Sequence, residues 1–182
     1  MVLSQITWQD VQQMPDDGVR REAIGGDLYA SPVPPVRHQE ICVDLMVALD
    51  RIVTTGGHGT LLPGPIGVEF PATREGVQPD IVFVHQARVG IIGEDWIRGA
   101  PDLVVEIVSP STEERDRGVK LRLYWRQGVP EYWIVDPEAE EVEIWGFRGE
   151  QPVSRRVTDR VPVNVDGETV GEIDLAEVFR QV

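Results

Sequence analysis

An almost wholly apolar run, Pro101-Asp102-Leu103-Val104-Val105-Glu106-Ile107-Val108, is interrupted near its centre by one carboxylate. Burying an unpaired glutamate in such a strand is expensive, so Glu106 requires a partner. A divalent cation is one candidate. Asp80, at the head of the apolar run Ile81-Val82-Phe83-Val84, can supply a second oxygen ligand from a neighbouring strand. An arginine salt bridge is the plainer alternative. Asp102 lies on the same strand face as Glu106 but follows Pro101, and it reads as a turn residue or a support of the site.

A third group completes the set. Sixteen basic residues are arginine, and Lys120 is the only lysine in the chain. A chain so biased toward arginine should keep lysine where a compact ammonium is required. Asp116, Lys120 and Tyr124 recur every four residues and share one helix face directly after the strand that carries Glu106. The bland reading is an exposed Asp116–Lys120 pair worth about 0.2–0.5 kcal/mol. The functional one directs the ammonium into a cleft beside Glu106. Two acids and one ammonium are the parts of metal-assisted hydrolysis, with the acids holding a cation and the ammonium offsetting negative charge as it develops.

The elements that must position these groups follow from periodicity and turn residues. Thr7 to Asp10 reads as the capped start of a short peripheral helix, stopped by Met14-Pro15-Asp16-Asp17-Gly18. Gly25-Gly26 between residues 21–24 and 27–30 has the composition of a hairpin turn. Ile41, Leu45, Leu49 and Ile52, widened by Met46 and Val53, give residues 37–53 an apolar helical stripe. Strands are expected at 59–62, 67–70, 81–84 and 103–108. A capping box from Ser111 to Glu114 then opens a helix through about Gln127. Strands at 131–135 and 141–147, short C-terminal strands and a helical turn near 175–179 complete the chain. The pattern is that of an α/β (mixed α+β) fold with one mixed central sheet flanked by helices, as a single domain over residues 1–182.

Composition narrows the classes. With 182 residues and 41% hydrophobic content the chain can bury a core without staples. The N-terminus MVLSQITWQD has no basic segment and no long apolar run, so a cytoplasmic protein without membrane association is expected. Cys42, the single cysteine, reads as a small buried hydrophobe. A net charge of −14 opposes tight non-specific binding to nucleic acid, and the same acidity suits a site for a divalent cation. No second set of metal-ligand spacings appears around His58 or His85, which argues against zinc.

Several blocks occurring in order carry a resemblance. Gln78-Pro79-Asp80, the run from Pro101 to Thr112, then Asp116, Lys120, Tyr124 and Gly128-Val129-Pro130-Glu131-Tyr132-Trp133-Ile134-Val135-Asp136-Pro137 resemble the Uma-type family of endonuclease-like proteins. The resemblance implies a restriction-endonuclease-like fold of the PD-(D/E)XK superfamily, here with an extra N-terminal hairpin and C-terminal strands. It implies Asp80 and Glu106 as ligands to Mg²⁺ (or Mn²⁺), with DNA as substrate. Valine at position 108 departs from the superfamily pattern, which places a lysine there, and the resemblance implies its replacement by Lys120. By position, Glu40 matches the further metal ligand that some members add, although it also suits the helix dipole, and the neighbouring His38 reads as a capping or surface residue. The expected activity is Mg²⁺-dependent DNA endonuclease cleavage by Asp80, Glu106 and Lys120, in a homo-oligomer, most simply a dimer. The alternatives are a catalytically silent module that binds protein or nucleic acid, and a hydrolase of small phosphate esters. On this reading, Lys120→Arg abolishes cleavage and leaves thermal stability almost unchanged.

Overall fold

The computed structural model describes residues 5–180. In chain order the elements are α1 (Trp8–Gln12), β1 (Arg20–Ile24), β2 (Asp27–Ser31), α2 (Val36–Val53), β3 (Gly59–Pro63), β4 (Val68–Phe70) and β5 (Glu75–Val77). Then follow β6 (Ile81–His85), β7 (Ile97–Arg98), β8 (Leu103–Ile107), α3 (Glu113–Arg115), a π-turn (Asp116–Lys120) and α4 (Leu121–Arg126). The last elements are β9 (Glu131–Asp136), β10 (Glu141–Gly146), β11 (Val153–Val157), β12 (Arg160–Val165), β13 (Glu168–Asp174) and α5 (Leu175–Val178).

The central sheet has six strands in the order β11-β10-β9-β8-β6-β3. Only its β8–β9 pair is parallel, and the segment joining those strands contains α3, the π-turn and α4. This is the mixed sheet with flanking helices that the sequence predicts. A second sheet was not foreseen: β2-β1-β5-β4-β7, five strands, incorporates the hairpin β1–β2 as an integral part. The hairpin is therefore no appendage. Strand β5 escaped the sequence reading because three residues, Glu75-Gly76-Val77, are too short to show a period.

Alternation along the central strands sorts side chains into two cores. Ile81, Phe83, Val105, Ile107 and Trp133 face α2 and the β12–β13 ribbon, while Val82, Val84, Val104, Tyr132 and Ile134 face α4 and the second sheet. Helix α2 buries Ile41, Leu45, Leu49 and Val53 at the expected spacing. Burial of Tyr132 and Trp133 excludes them from any exposed aromatic patch.

The helical connection differs from the expected uninterrupted helix. Thr112 is the N-cap and makes no side-chain capping bond; Ser109 and Thr112 are bonded to one another instead, and the Ser111–Glu114 box does not form. The ladder then widens into a π-turn around Gly118, a poor helix former. At the N-terminus Thr7 and Asp10 do form a capping box, and α1 seats Trp8 in a small core with Val11 and Ala23.

Trp8 lies directly against Gly76, so a β-carbon at that position would stand within the indole's van der Waals envelope. We expect Gly76→Ala to destabilise the protein by about 1–3 kcal/mol, as overpacking does, measured by denaturant unfolding. A variant as stable as the parent would show that Trp8 is free to move aside.

Candidate active site

Strands β6 and β8 run antiparallel with Ile81 opposite Val105. One residue further along each chain sets Asp80 against Glu106. By the two-residue period both share a face with Val82 and Val104, and both line one cleft of about 210 Å³. The fold thus brings both carboxylates to one cleft.

Lys120 points into that cluster. Its Nζ lies 2.8 Å from Glu106 Oε1, 2.9 Å from Glu22 Oε1 and 3.6 Å from Asp116 Oδ1, and the residue is 1% exposed. The exposed-pair reading is therefore wrong. Tyr124, one helical turn on, donates its hydroxyl to Glu106 Oε1 at 2.7 Å. Lys120 comes from the helical connection, while position 108 is a valine buried in the core.

Asp80 is saturated differently. Its Oδ2 accepts from the Ile107 N–H at 2.8 Å and lies 3.1 Å from His38 Nε2, while its Oδ1 accepts from Arg20 Nη2 at 2.8 Å. An ionised carboxylate only accepts, so Nε2 carries the His38 hydrogen. His38 is 6% exposed, which corrects the capping or surface role expected of it. Its neighbour Glu40 is at the cleft in neither sense: it pairs with Arg37 at 3.6 Å, and its side chain is 37% exposed. Geometry thus gives Glu40 no place beside Asp80 and Glu106, because α2 turns it toward solvent. Asp102 accepts from the His85 N–H and from Arg88, which fixes the turn leading into β8.

Burial opposes charge throughout. For Asp80 desolvation is outweighed by His38, Arg20 and the Ile107 N–H, so its carboxyl is held well below the usual range. For Glu106 desolvation prevails over Lys120, and the nearby Asp116, Asp80 and Glu22 push in the same direction, so its carboxyl is raised. Asp116 is raised for the same first reason. Burial disfavours the Lys120 ammonium, but Glu106, Glu22 and Asp116 more than compensate and hold it protonated. Cys42, half-buried near Asp80, has its thiol pushed up to about 11 by burial, which makes it inert as a nucleophile.

The sequence profile of the family described as "Uma2: Putative restriction endonuclease" matches residues 8–173. The chain belongs to this family. Among solved structures, one described as "a putative nuclease belonging to DUF820", from Anabaena variabilis, matches with a TM-score of 0.77 at 18% identity. The match covers 96% of this chain and 97% of that chain, and at this identity the likeness is one of fold. No curated protein matches.

In this Uma2-family chain the sequence reading overlooked Glu22, Arg20 and Arg115. Glu22 is fully buried on β1, accepts from the Gln78 N–H at 2.9 Å and leaves Oε2 without a hydrogen-bond partner. Its signal was the same as that of Glu106, an acid inside a strand, but Arg20 and Arg21 disguised that strand as polar. Arg115 stacks over Tyr29 and donates to Ser31.

An all-carboxylate donor set suits a hard divalent cation. Glu22 Oε2 and Asp116 Oδ1 are buried acceptors lacking donors, and both bonds to Glu106 fall on Oε1. The chemistry fits Mg²⁺. However, among the described residues no three acid, histidine or cysteine side chains are grouped so as to hold an ion: Lys120 fills the space between Glu22, Glu106 and Asp116, and Arg20 holds an Asp80 oxygen that an ion would need.

These shifts have signs that a melt can read. Glu106 and Asp116, raised in the fold, bind protons there that the unfolded chain has released, so stability falls as pH rises above the ordinary carboxylate range of about 4. Asp80, lowered, contributes stability that is lost as pH drops below about 4. In chelator, the melting temperature of the parent should decline from about pH 5 into the neutral range. Glu106→Gln should flatten that decline, and an equally steep profile in the variant would refute the assignment.

Proposed function

We infer that this chain is a Mg²⁺-dependent (or Mn²⁺-dependent) endonuclease that hydrolyses DNA phosphodiester bonds. The observation that carries the reading is the cross-strand opposition of Asp80 and Glu106 at the floor of a cleft, with Lys120 bonded to Glu106. Family membership supports nuclease chemistry. Asp80 and Glu106 would hold the ion, which when bound polarises a phosphate and acidifies a water.

The chain's own groups divide the remaining work. Lys120 stays protonated, so it acts as a fixed positive charge and not as a general base. Tyr124, its hydroxyl well above its ordinary pKa through burial and Glu106, serves as a neutral donor that orients the Glu106 carboxyl. His38 and the Ile107 N–H fix the plane of the Asp80 carboxylate.

One observation favours a silent nuclease-fold module instead: both oxygens of Asp80 already have protein partners, and a charge of −14 opposes DNA. Supercoiled plasmid at low salt separates the two. The parent protein should nick it with Mg²⁺ or Mn²⁺, and Asp80→Asn and Glu106→Gln should not. Lys120→Arg should also lose cleavage, but its melting temperature should drop, since a bulkier guanidinium in so closed a site costs about 1–3 kcal/mol. Folded parent protein that leaves plasmid intact with both ions would establish the silent module.

A further inference from the structure

Arg20 differs from the other cations of the cluster. Lys120 is enclosed by three carboxylates, and Arg115 is tied to Ser31 and stacked on Tyr29. Arg20, on the outer end of β1, has one hydrogen bond among the described residues, to Asp80 Oδ1, and its side chain is 18% exposed. It stands where the central cleft meets a neighbouring cavity of about 360 Å³ that is also lined by Asp80 and His38. Space to move and a single tether set it apart.

The oxygen it occupies is decisive. Asp80 Oδ2 is saturated by His38 and the Ile107 N–H, so Oδ1 is the one left for a cation. The guanidinium on Oδ1 takes the place an ion would take. We propose that Arg20 is a built-in stand-in for the divalent cation: it neutralises Asp80 in the ion-free protein, yields Oδ1 when the ion binds, and turns into the cleft to bind the substrate phosphate.

Charge supports the exchange. Four carboxylates, Glu22, Asp80, Glu106 and Asp116, face three cations, Arg20, Arg115 and Lys120. Counted with every acid ionised, a dication together with one phosphodiester leaves this cluster neutral only if Arg20 remains in it with a new partner. A released guanidinium presents a planar fork of donors suited to phosphate oxygens. In a chain of net charge −14, the substrate would then gain this cation only after the ion is in place.

This inference rests on the metal-dependent reading above, and the experiment separates the two. Metal-stripped, DNA-free protein is titrated with Mn²⁺ by calorimetry. Arg20→Gln should bind Mn²⁺ about tenfold more tightly than the parent, because the competitor is gone, yet cleave plasmid about a hundredfold more slowly. Arg115→Gln removes the same charge from the cluster without freeing Oδ1, and should tighten binding less. Crystals of the parent grown with Mn²⁺ should show Arg20 off Asp80 Oδ1, a readout that holds even if a variant folds poorly. Unchanged or weaker Mn²⁺ binding in Arg20→Gln, or an ion on Asp80 with Arg20 still bonded to Oδ1, overturns the stand-in while the nuclease reading survives. Mn²⁺ binding that is missing from both proteins, or indifferent to Asp80→Asn, overturns the metal-dependent reading and the stand-in with it.

Discussion

Taking an ammonium and its carboxylate partners out of water costs several kcal/mol per charge unless each is matched by geometry. Lys120 meets that requirement by drawing on three separate elements: Glu22 from β1, Glu106 from β8 and Asp116 from the π-turn. The second sheet, the central sheet and the helical connection therefore converge on one nitrogen. Each must be in place before the others can afford to be buried. That interdependence makes the hairpin, peripheral to a reading of the sequence, a structural condition of the site.

The π-turn carries two members of the same cluster. Asp116 and Lys120 stand at its two ends, and both are enclosed, at 2% and 1% exposure. Gly118 lies at its centre. Further out, Arg117 reaches Glu113, Asp136 and Glu143, which clamps the helical segment to β9 and β10. The helix is thus held by ion pairs of very different burial, and the enclosed ones are shielded from salt.

Electrostatics also frame how the cleft meets a substrate. The cluster is close to neutral within a strongly acidic chain, so long-range steering would repel a polyanion and the attraction available is local. Around the mouth lie Pro32, Val33, Pro34 and Pro35, with Val33 strongly exposed, and the hydroxyls of Ser109, Ser111 and Thr112. No helix among the described residues is long and apolar enough to cross a membrane.

Sequence by itself determined much of this protein. A lone carboxylate in an apolar strand demands a partner whatever the fold, and that logic singled out Glu106; the singular Lys120 and the four-residue spacing singled out the helix face that answers it. Helix α2 was legible because one-sided burial imposes a helical period on local sequence, and the long central strands because burial of both faces leaves short continuous apolar runs. What only the tertiary structure decided were the contacts between residues distant in the chain. Glu22 and Arg20 reach the site through β1, His38 turns from an expected surface position to hold Asp80, and Glu40 turns away to Arg37. Each of these outcomes depends on which way a strand or helix is rotated when two layers meet. Rotation is fixed by packing between residues distant in the chain, of which the spacing of neighbours carries no record.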